Sequence, residues 1–225
     1  MTMEYRAISL NPPPPLPDDE SQKIAADYLA KMTSRHTVRE FSDQSVPVDV
    51  IEACIATAGR APSGANQQPW HFVAVQNHEM KTEIRKAAEV EEAAFYAGGG
   101  GDEWINALEP LGTGVEKPHL TTAPWLIVIF AQRYGEREDG SRYKHYYVPE
   151  SVGIATGFLI SALHLAGLSC LTHTPNPMKF LNTLLNRPKS EKPVMILVVG
   201  HPDKDAVYPS ASTIKKPLSE ILTVK

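Results

Sequence analysis

The chain has 225 residues and a formal net charge of −4 at pH 7, and hydrophobic and charged residues make up 42% and 21% of it. These are ordinary values for a globular protein, so neither a disordered nor a fibrous class is indicated. The length suits one substantial domain. The acidic balance argues against a general nucleic-acid or membrane-surface binder, because such proteins need a net basic field. Any anion site must therefore be local.

The two cysteines, Cys54 and Cys170, lie in separate apolar segments, and neither belongs to a Cys-x-x-Cys pair. A disulfide framework is therefore not expected, and the eight histidines show no metal-ligand spacing. We expect no N-terminal signal and no apolar run of membrane-spanning length. Together these features predict a cytoplasmic protein with no metal site and with neither a membrane nor a nucleic-acid partner.

The N-terminal 20 residues are polar and contain the run Pro12-Pro13-Pro14-Pro15. Such a run cannot form a helix, so residues 1–20 are predicted to be an extended arm that wraps a surface or a partner subunit. From Ser21 to Met32, apolar residues recur at helical spacing and predict an amphipathic helix. We expect residues 21–225 to form a single domain.

A basic stretch, Ser34-Arg-His-Thr-Val-Arg39, separates this helix from the next helical pattern. In an extended segment Arg35, Thr37 and Arg39 project to the same side. Guanidinium groups match phosphate oxygens with two parallel hydrogen bonds, so this spacing predicts a clamp for one terminal phosphate. The alternative is a solvated basic loop.

A second helix is predicted between Pro47, which suits a first turn, and Gly59, which suits a helix end. It leads into the loop Ala61-Pro-Ser-Gly-Ala-Asn-Gln-Gln-Pro-Trp70. Small residues and two prolines favour a fixed turn whose backbone amides can approach a flat ligand closely. Ser63 and Asn66 would add hydrogen-bonding side chains.

Apolar runs and helical patterns alternate through the rest of the chain. The predicted strands are His71–Gln76, Pro124–Phe130, Leu168–Leu171 and Val194–Val199. The predicted helices are 78–97, Ser151–Gly167 and Phe180–Leu185. This order predicts a layered α+β or α/β domain in which helices flank a mixed central sheet.

Four consecutive glycines, Gly98 to Gly101, follow a helix instead of preceding one. A phosphate cradle needs its glycines at a helix N-terminus, so these glycines predict a hinge. The segment beyond them has one short helical pattern and a Gly112-Thr-Gly114 break. We therefore expect a mobile lid, inserted at about residues 92–120.

Three residues with complementary chemistry surround this hinge. Glu92 and Tyr96 are four residues apart at the end of a predicted helix, so they share one face. Lys117 follows the hinge and could swing over them. A carboxylate for the ammonium group, with an ammonium and a phenol for the carboxylate, is what a zwitterionic amino acid requires. The alternative is an exposed helical pair beside an unrelated surface lysine.

Taken together, these motifs resemble the nitroreductase superfamily of flavin mononucleotide (FMN) enzymes, and within it the iodotyrosine deiodinases. The resemblance extends from about Ser34 to Leu222 and implies an α+β fold and an intertwined homodimer. The carboxylate, phenol and ammonium of Glu92, Tyr96 and Lys117 are its specific part. Its other motifs are Arg35-His-Thr-Val-Arg39, Ala61-Pro-Ser-Gly-Ala65, Thr121-Thr-Ala-Pro124, His145-Tyr-Tyr147, Thr172-His-Thr-Pro175 and Lys215-Lys-Pro-Leu218.

The resemblance also implies roles for individual residues. Those it places at the flavin are Arg35, His36, Thr37, Arg39 and Lys215 around the phosphate, Pro62, Ser63 and Gly64 at the ring edge, and Thr172, His173 and Thr174 near N5. His36 and Lys215 stand where relatives often have arginine, which weakens bidentate phosphate recognition without removing charge.

The implied activity is reductive dehalogenation of a halogenated tyrosine, bound as the zwitterion by Glu92, Tyr96 and Lys117. The Ala65 backbone N–H would hold the phenolate oxygen, and the Thr174 hydroxyl, as the catalytic group, would bond N5 and favour one-electron steps. One alternative is an NAD(P)H-dependent nitroreductase or quinone reductase. Another is a flavin-loaded protein that binds aromatic amino acids without turnover. The sequence leaves the physiological reductant open.

Overall fold

The computed structural model describes residues 5–225, which fall into two compact units that meet between Ser34 and Arg35. In the first unit, residues 5–17 are exposed and form neither helix nor strand. Helix α1 covers Asp18–Thr33 and has no buried residue, so its predicted apolar face is open in this chain. It begins inside the predicted arm, whose first four residues lie outside the described part.

The second unit, Arg35–Lys225, contains the remaining helices and all strands of the described chain. Its helices are α2 (Val48–Ala58), α3 (His78–Ala94), α4 (Asp102–Leu108), α5 (His119–Thr122), α6 (Val148–Leu165), α7 (Phe180–Leu184) and α8 (Leu218–Ile221). Its strands are β1 (Trp70–Val75), β2 (Trp125–Gln132), β3 (Tyr134–Glu136), β4 (Arg142–Lys144), β5 (Ser169–His173) and β6 (Glu191–Gly200).

The central sheet has the strand order β1-β2-β6-β5, so β1 and β5 are its edges. All three strand pairs are antiparallel, and the β2–β6 register shifts between Ile129 and Phe130. A single parallel bridge joins Thr37 to Cys170 of β5. The sheet was predicted to be mixed, but its strand pairs in the described residues are all antiparallel, and this bridge lies outside the named strands at Thr37. Strands β3 and β4 form a separate hairpin.

Strand β2 is the centre of the core, because seven of its eight residues are buried. Successive side chains on a strand point to opposite faces, so β2 serves two hydrophobic layers. Ile127 and Ile129 pack in one cluster with residues of α2 and α6. Leu126 and Val128 pack in the other with residues of α3, α5 and α7. The continuous apolar run had predicted a strand covered on both faces, and the structure confirms it.

Helix α6 presents an uncovered apolar face. By length and a mean hydropathy of 1.3 it could cross a membrane, although one third of it (33%) is buried within the chain. We expected no apolar run of this length, and the helix begins at Val148, three residues before the predicted Ser151. Ile154 and Phe158 are 42% and 41% exposed.

Helix α3 ends at Ala94, earlier than predicted, and the chain continues in a π-helical turn, Phe95–Gly99. Two of the four glycines have positive φ, 115° at Gly98 and 72° at Gly101, and the hinge itself stays a prediction. Residues with side chains rarely adopt these angles. The turn places Tyr96 at the mouth of the cavity described below.

Two buried histidines connect α5 to β5. The rings of His119 and His173 lie edge to face with centroids 5.8 Å apart, and each residue is 7% exposed. Neither Nε2 atom has a hydrogen-bond partner. Burial, and then the nearby cations Lys117, Arg39 and Arg85, lower the pKa of His119 to about 4. Burial, His119 and Lys117 lower the pKa of His173 to about 3. Both imidazoles are therefore neutral in the folded protein at neutral pH.

We expect the free energy of unfolding to fall as the pH is lowered from 6.5 towards 4, because the unfolded chain takes up protons at both histidines and the folded chain does not. Each histidine contributes a slope of about 0.7 kcal/mol per pH unit at pH 6.5, where half of the unfolded chains are protonated at it, and this rises to about 1.2 to 1.3 at pH 5. Urea unfolding at pH 6.5 and pH 5 measures the slope. His119→Gln and His173→Gln should each remove one histidine's share.

The matched control is His78→Gln, since His78 is exposed at the start of α3. Its slope should equal that of the wild type. Identical slopes in all four proteins would contradict the depressed pKa values of the buried pair.

Candidate functional site

A cavity of ≈ 590 Å³ lies where three parts of the second unit meet. Arg39, from the basic segment, forms one wall. The end of α3 and the segment up to Lys117 form the second, and Thr172 to Thr174, at the end of β5, form the third. Three of the four predicted substrate contacts, all but Ala65, and four predicted cofactor contacts thus line one space.

The predicted trio is in contact within this cavity. Lys117 is buried, and its Nζ lies 2.9 Å from Oε2 of Glu92. The same Nζ lies 5.8 Å from the centre of the Tyr96 ring. Burying two charges is costly unless the geometry is good and further hydrogen bonds satisfy them. The cluster therefore needs support from its surroundings.

Neighbouring groups provide that support. The Lys117 Nζ also donates to the Gly114 carbonyl, and the Tyr96 hydroxyl lies 2.7 Å from Oγ1 of Thr113. The Lys117 backbone N–H donates to Oε1 of Glu89 at 2.7 Å, and Nε of Arg85 donates to the same oxygen at 2.8 Å. Burial raises the pKa of Glu89, but these bonds outweigh it and the pKa ends below its usual value.

The basic segment runs beside β5, held by the parallel bridge between Thr37 and Cys170. Two residues beyond this bridge, Arg39 of the basic segment and Thr172 of β5 both line the cavity. Burial lowers the pKa of Arg39, and Tyr96 partly offsets this. Within residues 5–225 no ion pair neutralises this guanidinium. A half-buried, unpaired guanidinium is suited to a bound anion such as a phosphate.

Two predicted phosphate contacts lie elsewhere in this chain. The His36 ring stacks on Tyr208, with centroids 3.9 Å apart and planes at 6°. Lys215 is exposed in the C-terminal segment and does not line the cavity. Neither residue therefore lines the cavity with Arg39.

The predicted loop of small residues, Pro62 to Ala65, is rigid. Gly64 donates its N–H to Oγ of Ser151 at 3.3 Å, and a Cβ at Gly64 would lie 2.6 Å from the Tyr146 carbonyl oxygen, so only glycine fits. Ala65 has a φ of 50°, in the left-handed region. Such strain persists only where the surroundings impose it, and it is typical of functional sites.

This loop does not line the cavity. It precedes β1 at one edge of the sheet. At the other edge, Thr172 and His173 end β5 and Thr174 comes directly after it. Three strand spacings, roughly 14 Å, separate these edges. The predicted flavin and substrate contacts of one chain therefore form two separate groups.

Sequence analysis missed several residues of the cavity. Thr113 lies between two glycines in the predicted lid, and this break was the signal that a hydroxyl there could reach Tyr96. His119 also lines the cavity, and the sequence around it carried no signal of this beyond the lack of metal-ligand spacing. Trp104 and Phe95 meet edge to face at 5.1 Å and also line the cavity.

Comparison with known proteins gives a consistent picture. The family model described as "Nitroreductase family" matches residues 32–201 of this chain. The chain is 49% identical over 191 residues to an iodotyrosine deiodinase from Haliscomenobacter hydrossis, covering 85% of this chain and 86% of that one. It is 42% identical over 207 residues to iodotyrosine deiodinase 1 from Homo sapiens, covering 92% of this chain and 71% of the human one.

Among solved structures, an oxidized iodotyrosine deiodinase bound to FMN and 3-iodo-L-tyrosine superposes with a TM-score of 0.72 at 29% identity, covering 88% of this chain and 97% of that one. A nitroreductase-like protein from Streptococcus mutans superposes with a TM-score of 0.63 at 18% identity, covering 90% of this chain and 99% of that one, and shows the fold alone. Because the family model matches most of its length, this chain belongs to the nitroreductase family.

Proposed function

We propose that this protein is an FMN-dependent oxidoreductase that removes halide from halogenated tyrosine, converting iodotyrosine to tyrosine and iodide. The observation that carries the proposal is the buried contact of Glu92 with Lys117, beside Tyr96, in the cavity that Arg39 also lines. Relatives that are 42 to 49% identical over most of the chain are iodotyrosine deiodinases. A general nitroreductase would have no use for a buried carboxylate and ammonium at its substrate site.

The residues present fit FMN. Arg39 is half buried and unpaired among the described residues, as a phosphate contact requires, and Arg35 and Thr37 lie on the same extended segment. Thr172 to Thr174 would contact the ring, with the Thr174 hydroxyl at N5. A role for His36 and Lys215 at the phosphate stays a prediction, because neither residue lines the cavity of this chain. When bound, FMN supplies the two electrons that replace the carbon–halogen bond by a carbon–hydrogen bond.

Substrate binding would replace the ion pair between Glu92 and Lys117 by two ion pairs, one from each of these residues to the substrate. In the structure Glu92 and Lys117 neutralise each other at 2.9 Å. An amino acid zwitterion entering between them places its ammonium on Glu92 and its carboxylate on Lys117 and the Tyr96 hydroxyl. Each buried charge then keeps a partner, so the entry avoids the penalty of leaving a charge unpaired. These residues orient the phenol ring against the flavin and exclude water, which is the protein's contribution to the rate.

A homodimer would complete the site. The loop Pro62 to Ala65 cannot reach the cavity of its own chain, since the two lie at opposite edges of the sheet. The loop of the partner subunit would supply Pro62, Ser63 and Gly64 to the flavin edge and the Ala65 N–H to the phenolate. The uncovered face of α6, which includes Ile154 and Phe158, is the kind of apolar surface that a dimer buries.

Replacing Glu92 by glutamine should weaken iodotyrosine binding by about 10- to 100-fold, because a hydrogen bond to a charged group contributes about 1.5 to 3 kcal/mol. Titration of the flavin fluorescence with iodotyrosine measures this affinity. Iodophenol, which lacks the zwitterion, should bind weakly and equally to both proteins. The control is Glu83→Gln, on the exposed part of α3. Equal affinities for iodotyrosine in all three proteins would refute the assignment.

Iodide release from iodotyrosine under anaerobic reduction tests the reaction itself. We expect release by the wild type and a large loss in Glu92→Gln. Rapid reduction of nitroaromatics without iodide release would favour the nitroreductase alternative. Tight iodotyrosine binding without release would favour the non-catalytic alternative.

Replacing Phe158 by aspartate should convert the dimer to a monomer and release FMN, because a charge would enter the apolar face of α6. Sedimentation velocity reports the assembly state, and the visible absorbance of the purified protein reports retained flavin. Val90→Asp, an exposed apolar position on α3, is the control and should remain a yellow dimer. A dimer with full flavin in the α6 variant would show that this face is not the interface.

A further inference from the structure

A second concave surface lies directly beside the candidate site. It is a groove of ≈ 810 Å³, and Asn176 and Pro177 line both it and the cavity. One stretch of chain is therefore the wall between them. The charged residues of this groove are Arg133, Lys179, Arg187, Lys189, Glu191 and Lys192.

The groove keeps a strong positive charge even after the ion pair between its Arg187 and Glu191 is left out. The Arg187 guanidinium donates two hydrogen bonds to the Glu191 carboxylate, at 2.7 Å and 2.8 Å, and Glu191 is buried. These two charges cancel. The other four cations have no ion pair within residues 5–225, in a chain whose net charge is −4. The groove is thus a local patch of opposite sign to the whole molecule, and it attracts acidic surfaces that the rest of the molecule repels.

The form of the patch favours a protein partner over a small anion. Its unpaired cations are exposed, and three of them are lysines on flexible stems. A small-anion site needs fixed donors, and the one arginine whose fork is fixed here, Arg187, is already occupied by Glu191. Mobile charges around a groove are instead suited to steering a transient protein complex.

The reaction indicates which protein. Removal of halide consumes two electrons, which a donor must return to the flavin. A hydride donor has to enter the cavity and touch the ring, because its reacting atoms must meet. An electron-carrier protein only has to dock beside the wall at Asn176 and Pro177. Electron-transfer complexes are also small and weak, as the size of this groove allows.

We propose that this groove docks an acidic one-electron carrier of the [2Fe–2S] ferredoxin class, which reduces the flavin. The proposal rests on the FMN-dependent dehalogenation proposed above. Two reduced carriers are each oxidised by one electron, and the flavin gains two electrons and two protons from solvent. Dehalogenation returns the flavin to its oxidised form, with one proton going to the tyrosine ring carbon and one leaving with the iodide ion.

The test uses the FMN-loaded protein and a reduced [2Fe–2S] ferredoxin with an acidic surface. Stopped-flow absorbance under anaerobic conditions measures flavin reduction across a series of salt concentrations. Calorimetry with the oxidised ferredoxin measures binding independently of activity. In the variant K179E/K192E, we expect the second-order rate constant at low salt to fall at least about tenfold, and binding to weaken in parallel. Wild-type reduction should slow as salt is added.

The control K86E/K204E changes the net charge by the same amount at exposed lysines away from the groove. It should reduce and bind like the wild type. Equal losses in both double variants, or a wild-type rate independent of salt, would overturn the proposal. Loss of the dimer in K179E/K192E would also overturn it, by making the groove an interface between copies of this chain.

Reduction by photoreduced deazaflavin, a small donor that needs no docking surface, separates this proposal from the proposed function. Iodide release with this donor should be the same in wild type and K179E/K192E. Its absence in the wild type would refute the dehalogenase itself, whereas its presence without a ferredoxin effect would refute only the docking groove.

Discussion

The buried ion pair between Lys117 and Glu92 is the interaction on which the candidate site depends. It joins the end of α3 to the segment that follows Gly98 to Gly101, which was predicted to be a lid. Two charges can be kept away from water only when each has further partners. Gly114 provides one for Lys117, and Glu89, itself held by Arg85, positions the Lys117 backbone. In the proposed function, this same pair would receive the two charged ends of a zwitterion.

The central sheet positions the two segments that were predicted to contact the cofactor, the basic segment and the small-residue loop. Strand β2 fills both core layers, which leaves the edge strands β1 and β5 to carry the functional segments. The basic segment lies along β5 through one parallel bridge, and this brings Arg39 to the cavity. The small-residue loop enters β1 and is held by Ser151 and Tyr146. Rigid elements thus support each group, as precise positioning of a flat cofactor requires.

Much of the fold was predictable, because buried strands are marked by continuous apolar runs and helix ends by proline and glycine. Pro47 and Gly59 flank α2 as expected, and the core of β2 matches its prediction. The end of α3 was not predictable, since a π-helical turn carries no distinct sequence pattern. Nor was the start of α6, which includes Val148, Pro149 and Glu150 and so begins before the predicted Ser151.

Glu92, Tyr96 and Lys117 were predicted as substrate contacts because opposite charges and a phenol occur close together in the sequence around four glycines, and the structure brings the three into one cavity. The surroundings of the individual cofactor residues were harder to predict. Nothing in the sequence indicates that the His36 ring stacks on Tyr208, or that Lys215 is exposed and away from the cavity. Local sequence reports which groups a ligand needs, but tertiary contacts decide which of them one chain brings together.

The placement of the two groups at opposite edges of the sheet has a genetic consequence. In the proposed dimer, each site would combine the lid of one subunit with the loop of the other. One subunit can then carry a damaged lid while the other carries a damaged loop. A chain with a defective lid and a chain with a defective loop are each inactive alone. Coexpressed, they would form mixed dimers in which one of the two sites receives both intact halves. Two null alleles would then complement each other within a single gene.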